Sequence, residues 1–132
     1  MLHSDAARTM QARWEEGDNH DAWSDHVPIT TQVLRHPKTG VTWVVARAYQ
    51  EHGCGEPDIN LFGLFKVEPD GSLWWTHVRP FELDTIDEIL DVDGDGDFEI
   101  IGRPWLGLDR VFETASGNEL EHQVLPFYGC PC

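Results

Sequence analysis

The sequence predicts a mainly β chain: a small antiparallel two-sheet domain of about eight short strands, preceded by one short helix. Three observations carry that expectation. Runs rich in Val, Ile, Thr and aromatic residues recur at short intervals from Val27 onward. Turn sequences separate them, notably Pro37-Lys38-Thr39-Gly40, Pro69-Asp70-Gly71 and Ala115-Ser116-Gly117-Asn118. Helical spacing of apolar residues is confined to the first residues of the chain. At 132 residues, with 40% hydrophobic residues including six Trp and six Phe, the chain can bury one sizeable core. Residues 1–26 read as a helix with a linker, and residues 27–132 as a single β domain.

Ser4 to Glu16 forms the predicted helix. Ser4 or Asp5 can cap it, Ala6, Met10 and Trp14 share a face, and Gly17 stops it. Asp18 to His26 reads as an extended linker with Trp23 as its one large anchor. Val27–His36 and Gly40–Gln50 are the first strand pair. Alternation of Trp43, Val45 and Arg47 with Val44, Ala46 and Ala48 predicts one face more buried than the other. Glu51 to Asp58, with Gly53, Gly55 and Pro57, reads as a loop. Asn60–Glu68 and Ser72–Arg79 form a hairpin around the Pro-Asp-Gly turn. Ile86–Val92, Phe98–Gly102, Leu108–Thr114 and Glu119–Leu125 follow. The strands divide into two four-stranded antiparallel sheets, one before Pro80 and one after it, each resembling a propeller blade in its order.

The net charge of −15 argues against nucleic acid and anionic membrane surfaces, since both are polyanions. No stretch is long and apolar enough to span a membrane. The first residues, Met1-Leu2-His3-Ser4-Asp5, lack the basic and apolar regions of a signal peptide. Nine acidic residues crowd between Glu82 and Glu99, a repulsive density that a cation would relieve.

The densest part is Asp91-Val92-Asp93-Gly94-Asp95-Gly96-Asp97-Phe98-Glu99. Calcium takes six to eight oxygens at about 2.3–2.6 Å. Asp91, Asp93 and Asp95 can supply side chains, Asp97 its carbonyl, and Glu99 can close the far side. Gly94 and Gly96 permit the positive φ that wraps backbone around an ion. A helical calcium hand, and a dockerin-like repeat with it, needs an acid at position 12 of the loop. Here that position is Gly102, followed closely by Pro104, so the flanking elements read as strands. The pattern resembles the D-x-D-G-D-G-x-x-[DE] loop of FG-GAP and VCBS repeats, as found in integrin-type β-propellers, over Asp87 to Gly102. That resemblance implies a Ca²⁺ loop between two β-strands. A propeller needs several blades, and this chain has room for two at most. A structural Ca²⁺ site is therefore expected, and because extracellular modules work at about 10⁻⁴–10⁻³ M calcium it points to a secreted, periplasmic or cell-surface setting.

Three Cys leave an odd count. A disulfide from Cys54 to Cys130 or Cys132 would tie the tail to the middle of the domain, stabilising by about 4 kcal/mol in the chain-entropy model. His52, Cys54, Cys130 and Cys132 also make a Cys₃His zinc set, though with one-residue spacers shorter than usual zinc knuckles. A Cys54 nucleophile with His52 or His77 as base has no supporting spacing. The remaining His residues read as surface or hydrogen-bonded groups.

Two functional classes stand. The first is a calcium-stabilised β module that binds an unidentified protein or glycan or serves a surface structural role. The second is a small hydrolase using loop carboxylates, with Glu51, Glu56, Asp58 and Asn60 framing a pocket near Trp43, Trp74 or Trp75, or the Cys/His cluster. No nucleophile elbow, phosphate loop or HExxH motif occurs, so no catalytic residue is assigned and the non-enzymatic reading leads.

Overall fold

The structure, a computed structural model, describes residues 1–52, 55–104 and 110–123, with residues 51, 52, 55–58, 75, 110–112, 122 and 123 described by backbone alone. Helix α1 spans Asp5–Glu16. Ser4 caps it, its hydroxyl accepting from the Ala7 N–H at 3.1 Å, which satisfies one of the donors a helix start leaves open. The Gly17 N–H closes the other end on the Trp14 carbonyl.

Eight strands follow among the described residues. β1 (Ile29–Arg35), β2 (Thr42–His52), β3 (Gly55–Val67) and β4 (Leu73–Pro80) form one antiparallel sheet in chain order. β5 (Leu83–Leu90), β6 (Glu99–Pro104), β7 (Arg110–Thr114) and β8 (Glu119–Gln123) form the second in the same manner. Each sheet is a meander, because connections this short can only join antiparallel neighbours. The division falls at Pro80, as the strand spacing predicts. Gly40, Gly71 and Gly117 take positive φ in their turns.

Three expectations are corrected. The predicted Glu51–Asp58 loop is largely strand: β2 runs to His52, β3 starts at Gly55, and His52 pairs with Gly55. Pro57 is tolerated there because β4 pairs with β3 only from Leu61 onward, leaving that end of β3 an edge. The expected extended linker contains a 3₁₀ turn at Trp23–Asp25. Trp23 is buried, with its indole N–H donating to the Ala7 carbonyl, so burial against the helix draws the segment back. Finally, β2 is buried on both faces rather than one, with Trp43 and Val45 on one side and Ala46 and Ala48 on the other.

The cause of that double burial is layering. On one face of the first sheet, Met10, Trp14, Trp23 and Val27 pack with Ala48, Ile59 and Leu61. On the other, Trp43, Val45, Phe62 and Leu64 pack with Phe81, Leu83, Phe98, Ile100 and Ala115 of the second half. Full burial of a large apolar side chain contributes about 1.5–3 kcal/mol, so these two clusters hold the layers together.

Polar ties reinforce the inter-sheet core. The Arg47 guanidinium lies over the Tyr49 ring and donates to the carbonyls of Leu83 and Asp84 at 3.0 and 2.7 Å. It also donates to the buried Asn60 side chain, whose amide donates to the Leu83 carbonyl at 2.9 Å. Arg79 stacks over Phe81, pairs with the buried Glu113 and donates to the Ala115 carbonyl. Burial pushes the Glu113 carboxyl upward, with the Arg79 hydrogen bond opposing. Both arginines thus bridge from the first sheet to backbone of the second half, burying their stems and supplying guanidinium donors to carbonyls withdrawn from water.

Candidate metal centre

The acidic loop connects β5 to β6, whose last pairing is Leu90 with Glu99. It closes through side chain to backbone bonds. The Gly94 N–H donates to Asp91 Oδ1 at 2.6 Å, the Asp95 N–H to Asp93 Oδ1 at 3.1 Å, and the Asp97 N–H to Asp95 Oδ1 at 2.8 Å. Gly94 and Gly96 stand at φ 82° and 98°, a conformation costly to any residue with a Cβ. The Val92 N–H donates to Glu99 Oε2 at 2.8 Å, drawing the strand residue back over the loop.

This winding brings Asp91, Asp93 and Glu99 together, with one carboxylate oxygen from each lying within 4.8 Å of the others. Two oxygens on opposite sides of a calcium ion are about 4.6–5.2 Å apart, so the group fits the span of one such ion. The donors are all hard oxygens, and each carboxylate keeps lone pairs beyond those its hydrogen bonds use. Asp95 and Asp97 stand outside this group of three and are exposed. Both residues help wall an open groove against the first sheet.

The electrostatics are uneven. Burial raises the Glu99 carboxyl above its ordinary range, and the charges of Asp93, Asp95 and Asp91 add to that. Asp91 is lowered instead, chiefly by a hydrogen bond from His36. His36 Nε2 lies 2.7 Å from Asp91 Oδ2, and both side chains are almost fully buried, 2% and 4% exposed. Nδ1 of the same ring accepts from the backbone N–H groups of Lys38 and Thr39 at 3.2 and 3.1 Å. Two donors on Nδ1 place the ring proton on Nε2, so His36 donates to the carboxylate. The ring also tilts against Phe98, 5.8 Å between centroids. The β1–β2 turn of the first sheet thereby grips the loop of the second. The same turn sets the Lys38 ammonium beside Gly94, 3.1 Å from where a Cβ would stand, and so brings a positive charge to the loop.

In the sequence His36 is one of several scattered histidines. Its partner lies 55 residues away, and the one local signal is the Pro-Lys-Thr-Gly turn that follows it. Most of the other candidate residues fall outside the described part of the chain. Cys54, Cys130 and Cys132 lie outside the described residues, as do the side chains of His52, Glu51, Glu56, Asp58 and Trp75, so the disulfide and zinc sets fall outside them too. Asn60 is buried in the Arg47 tie rather than lining a pocket. Trp43 is a core residue, while Trp74 is 62% exposed. No helix among the described residues is long and apolar enough to cross a membrane.

Fold and site together define a two-sheet antiparallel meander domain whose β5–β6 loop gathers three carboxylates able to hold a metal ion. Neither the family models, the curated proteins nor the solved structures give a match to this chain.

Proposed function

We propose that this chain is a calcium-stabilised β module of an exported protein, with a binding or structural role. The observation that carries the reading is the meeting of Asp91, Asp93 and Glu99 within 4.8 Å on a loop anchored to both sheets. Three carboxylates so placed repel one another, and a divalent cation converts that repulsion into cohesion. The all-oxygen set favours a hard ion, and three carboxylates drawn together suit Ca²⁺ better than Mg²⁺, which keeps several waters and takes one or two carboxylates. The resemblance of the loop to FG-GAP and VCBS repeats points the same way. A contiguous loop that ties β5 to β6 suits a brace better than a sensor, and weak loop sites of this kind work at extracellular calcium levels. The hydrolase reading draws no support from Asn60, which the Arg47 tie occupies.

Terbium luminescence tests the metal. Trp43 packs on Phe98 at the foot of the loop, 5.8 Å between centroids, and serves as a donor for sensitised emission. Emission that saturates with Tb³⁺ and is displaced by Ca²⁺ supports the site. Folded protein that gives no sensitised emission refutes it.

A further inference from the structure

An open groove of about 470 Å³ lies between the first sheet and the metal loop, within the usual size of small-ligand sites. One wall is β3 and β4, with Lys66, Glu68, Trp74 and Thr76; the other is the exposed turn Asp95–Asp97. Trp74 is a large aromatic residue left 62% exposed, beside polar groups of both hydrogen-bonding senses. Trp43 also borders the groove, and its buried indole Nε1 has no hydrogen-bond partner among the described residues, an unmet desolvation in the free protein.

We infer that this groove binds a neutral saccharide against the Trp74 indole. The carboxylates of Glu68, Asp95 and Asp97, in a chain of net charge −15, oppose an anionic ligand. The Lys66 ammonium set among them opposes a second cation. A ligand rich in hydroxyls uses both kinds of group, since each hydroxyl donates and accepts. Its C–H face covers the indole, which offers apolar area on a side chain with little rotamer entropy to lose. The volume suits one or two sugar rings, and the openness of the groove suits the end or edge of a longer glycan. This names a ligand for the binding role proposed above, at a site separate from the metal cluster.

The test uses the full chain with cellotriose, maltotriose and chitotriose, each titrated by saturation-transfer NMR and by Trp fluorescence, in calcium and in chelator. At least one trisaccharide binds saturably, with a Kd of about millimolar, and Trp74→Ala weakens it about tenfold while Trp74→Phe retains most affinity. Because Trp74 is largely exposed, far-UV circular dichroism of Trp74→Ala stays unchanged and separates lost binding from lost fold. The inference is overturned if none of the three binds, or if Trp74→Ala leaves binding unaltered. It is also overturned if a Lys/Arg hexapeptide binds through Trp74 where the saccharides do not, which makes the occupant a basic peptide. Saccharide binding in a protein whose melting ignores calcium sinks the metal reading alone. Calcium-responsive melting without saccharide binding sinks this one alone.

Discussion

Replacing His36 by Phe keeps a ring against Phe98 and removes every hydrogen bond the imidazole makes. The loss that matters is the bond to Asp91, 2.7 Å long and shielded from water, because a donor to an ionised acceptor is worth about 1.5–3 kcal/mol. The two N–H groups that Nδ1 accepted belong to the exposed residues Lys38 and Thr39, so water replaces their partner at little cost. The expected net loss for His36→Phe is therefore about 2 kcal/mol, a fall in Tm of about 4–10 °C for a chain of this size. A second readout follows from the position of Asp91 in the carboxylate group. Partners that orient a ligand commonly cost about 10–100-fold in metal affinity when removed, so the calcium midpoint should rise by that factor. Urea denaturation in chelator gives the first quantity and Tb³⁺ displacement the second. Stability within about 0.5 kcal/mol of the parent, the range of an ordinary surface change, together with an unmoved calcium midpoint, would refute the idea that this histidine anchors the loop.

Other perturbations test separate parts of the structure. Calcium at ten times its Kd adds about 1.4 kcal/mol by mass action, so thermal scans in 10 mM Ca²⁺ and in chelator should differ by several degrees, and Asp93→Asn should abolish the difference. The pH dependence has a definite sign. Glu99 is raised above 4.5, so in the metal-free protein its contribution is present below pH 4.5 and is lost as pH rises through its folded value. Chelated protein is thus expected to lose stability from this group on going from pH 4.5 towards 7, and the calcium-induced rise in Tm should be larger at pH 7 than at pH 5; equal rises would count against Glu99 as a ligand. Gly102→Ala drives a Cβ into the Thr85 carbonyl oxygen on β5, backbone that moves only with the sheet. It should cost at least about 2 kcal/mol in urea denaturation, and a neutral result would refute the close approach of β5 to Gly102.

Much of the fold was legible because its signals are local. Ser4 and Gly17 bound the helix within one turn of the residues they cap. The turns after His36, Glu68 and Thr114 carry Gly at positive φ, and once turns are placed at short spacing an antiparallel meander is the only available connection. The acidic loop is equally local, since its ligands, its glycines and its flanking strands are contiguous. The sequence misleads where local chemistry competes with distant packing. Gly55 and Pro57 look like loop residues until the length of the β4 pairing shows that they sit on an edge. The alternation in β2 predicts one face more buried than the other, whereas α1 with Trp23 and Val27 brings a second apolar layer to the first sheet.

What the sequence determined by itself was the class of fold, the division at Pro80 and the place where carboxylates concentrate, because strand pattern, turn chemistry and charge density are properties of neighbours along the chain. Which of those carboxylates meet, and what holds them, depends on how the two sheets close on each other. Asp91, Asp93 and Glu99 converge while Asp95 and Asp97 stay outside that group, and the hand that sets Asp91 is a buried histidine from the β1–β2 turn of the other sheet. A hydrogen bond spanning 55 residues leaves no periodicity to read, since its geometry exists only after both sheets have closed on their shared core.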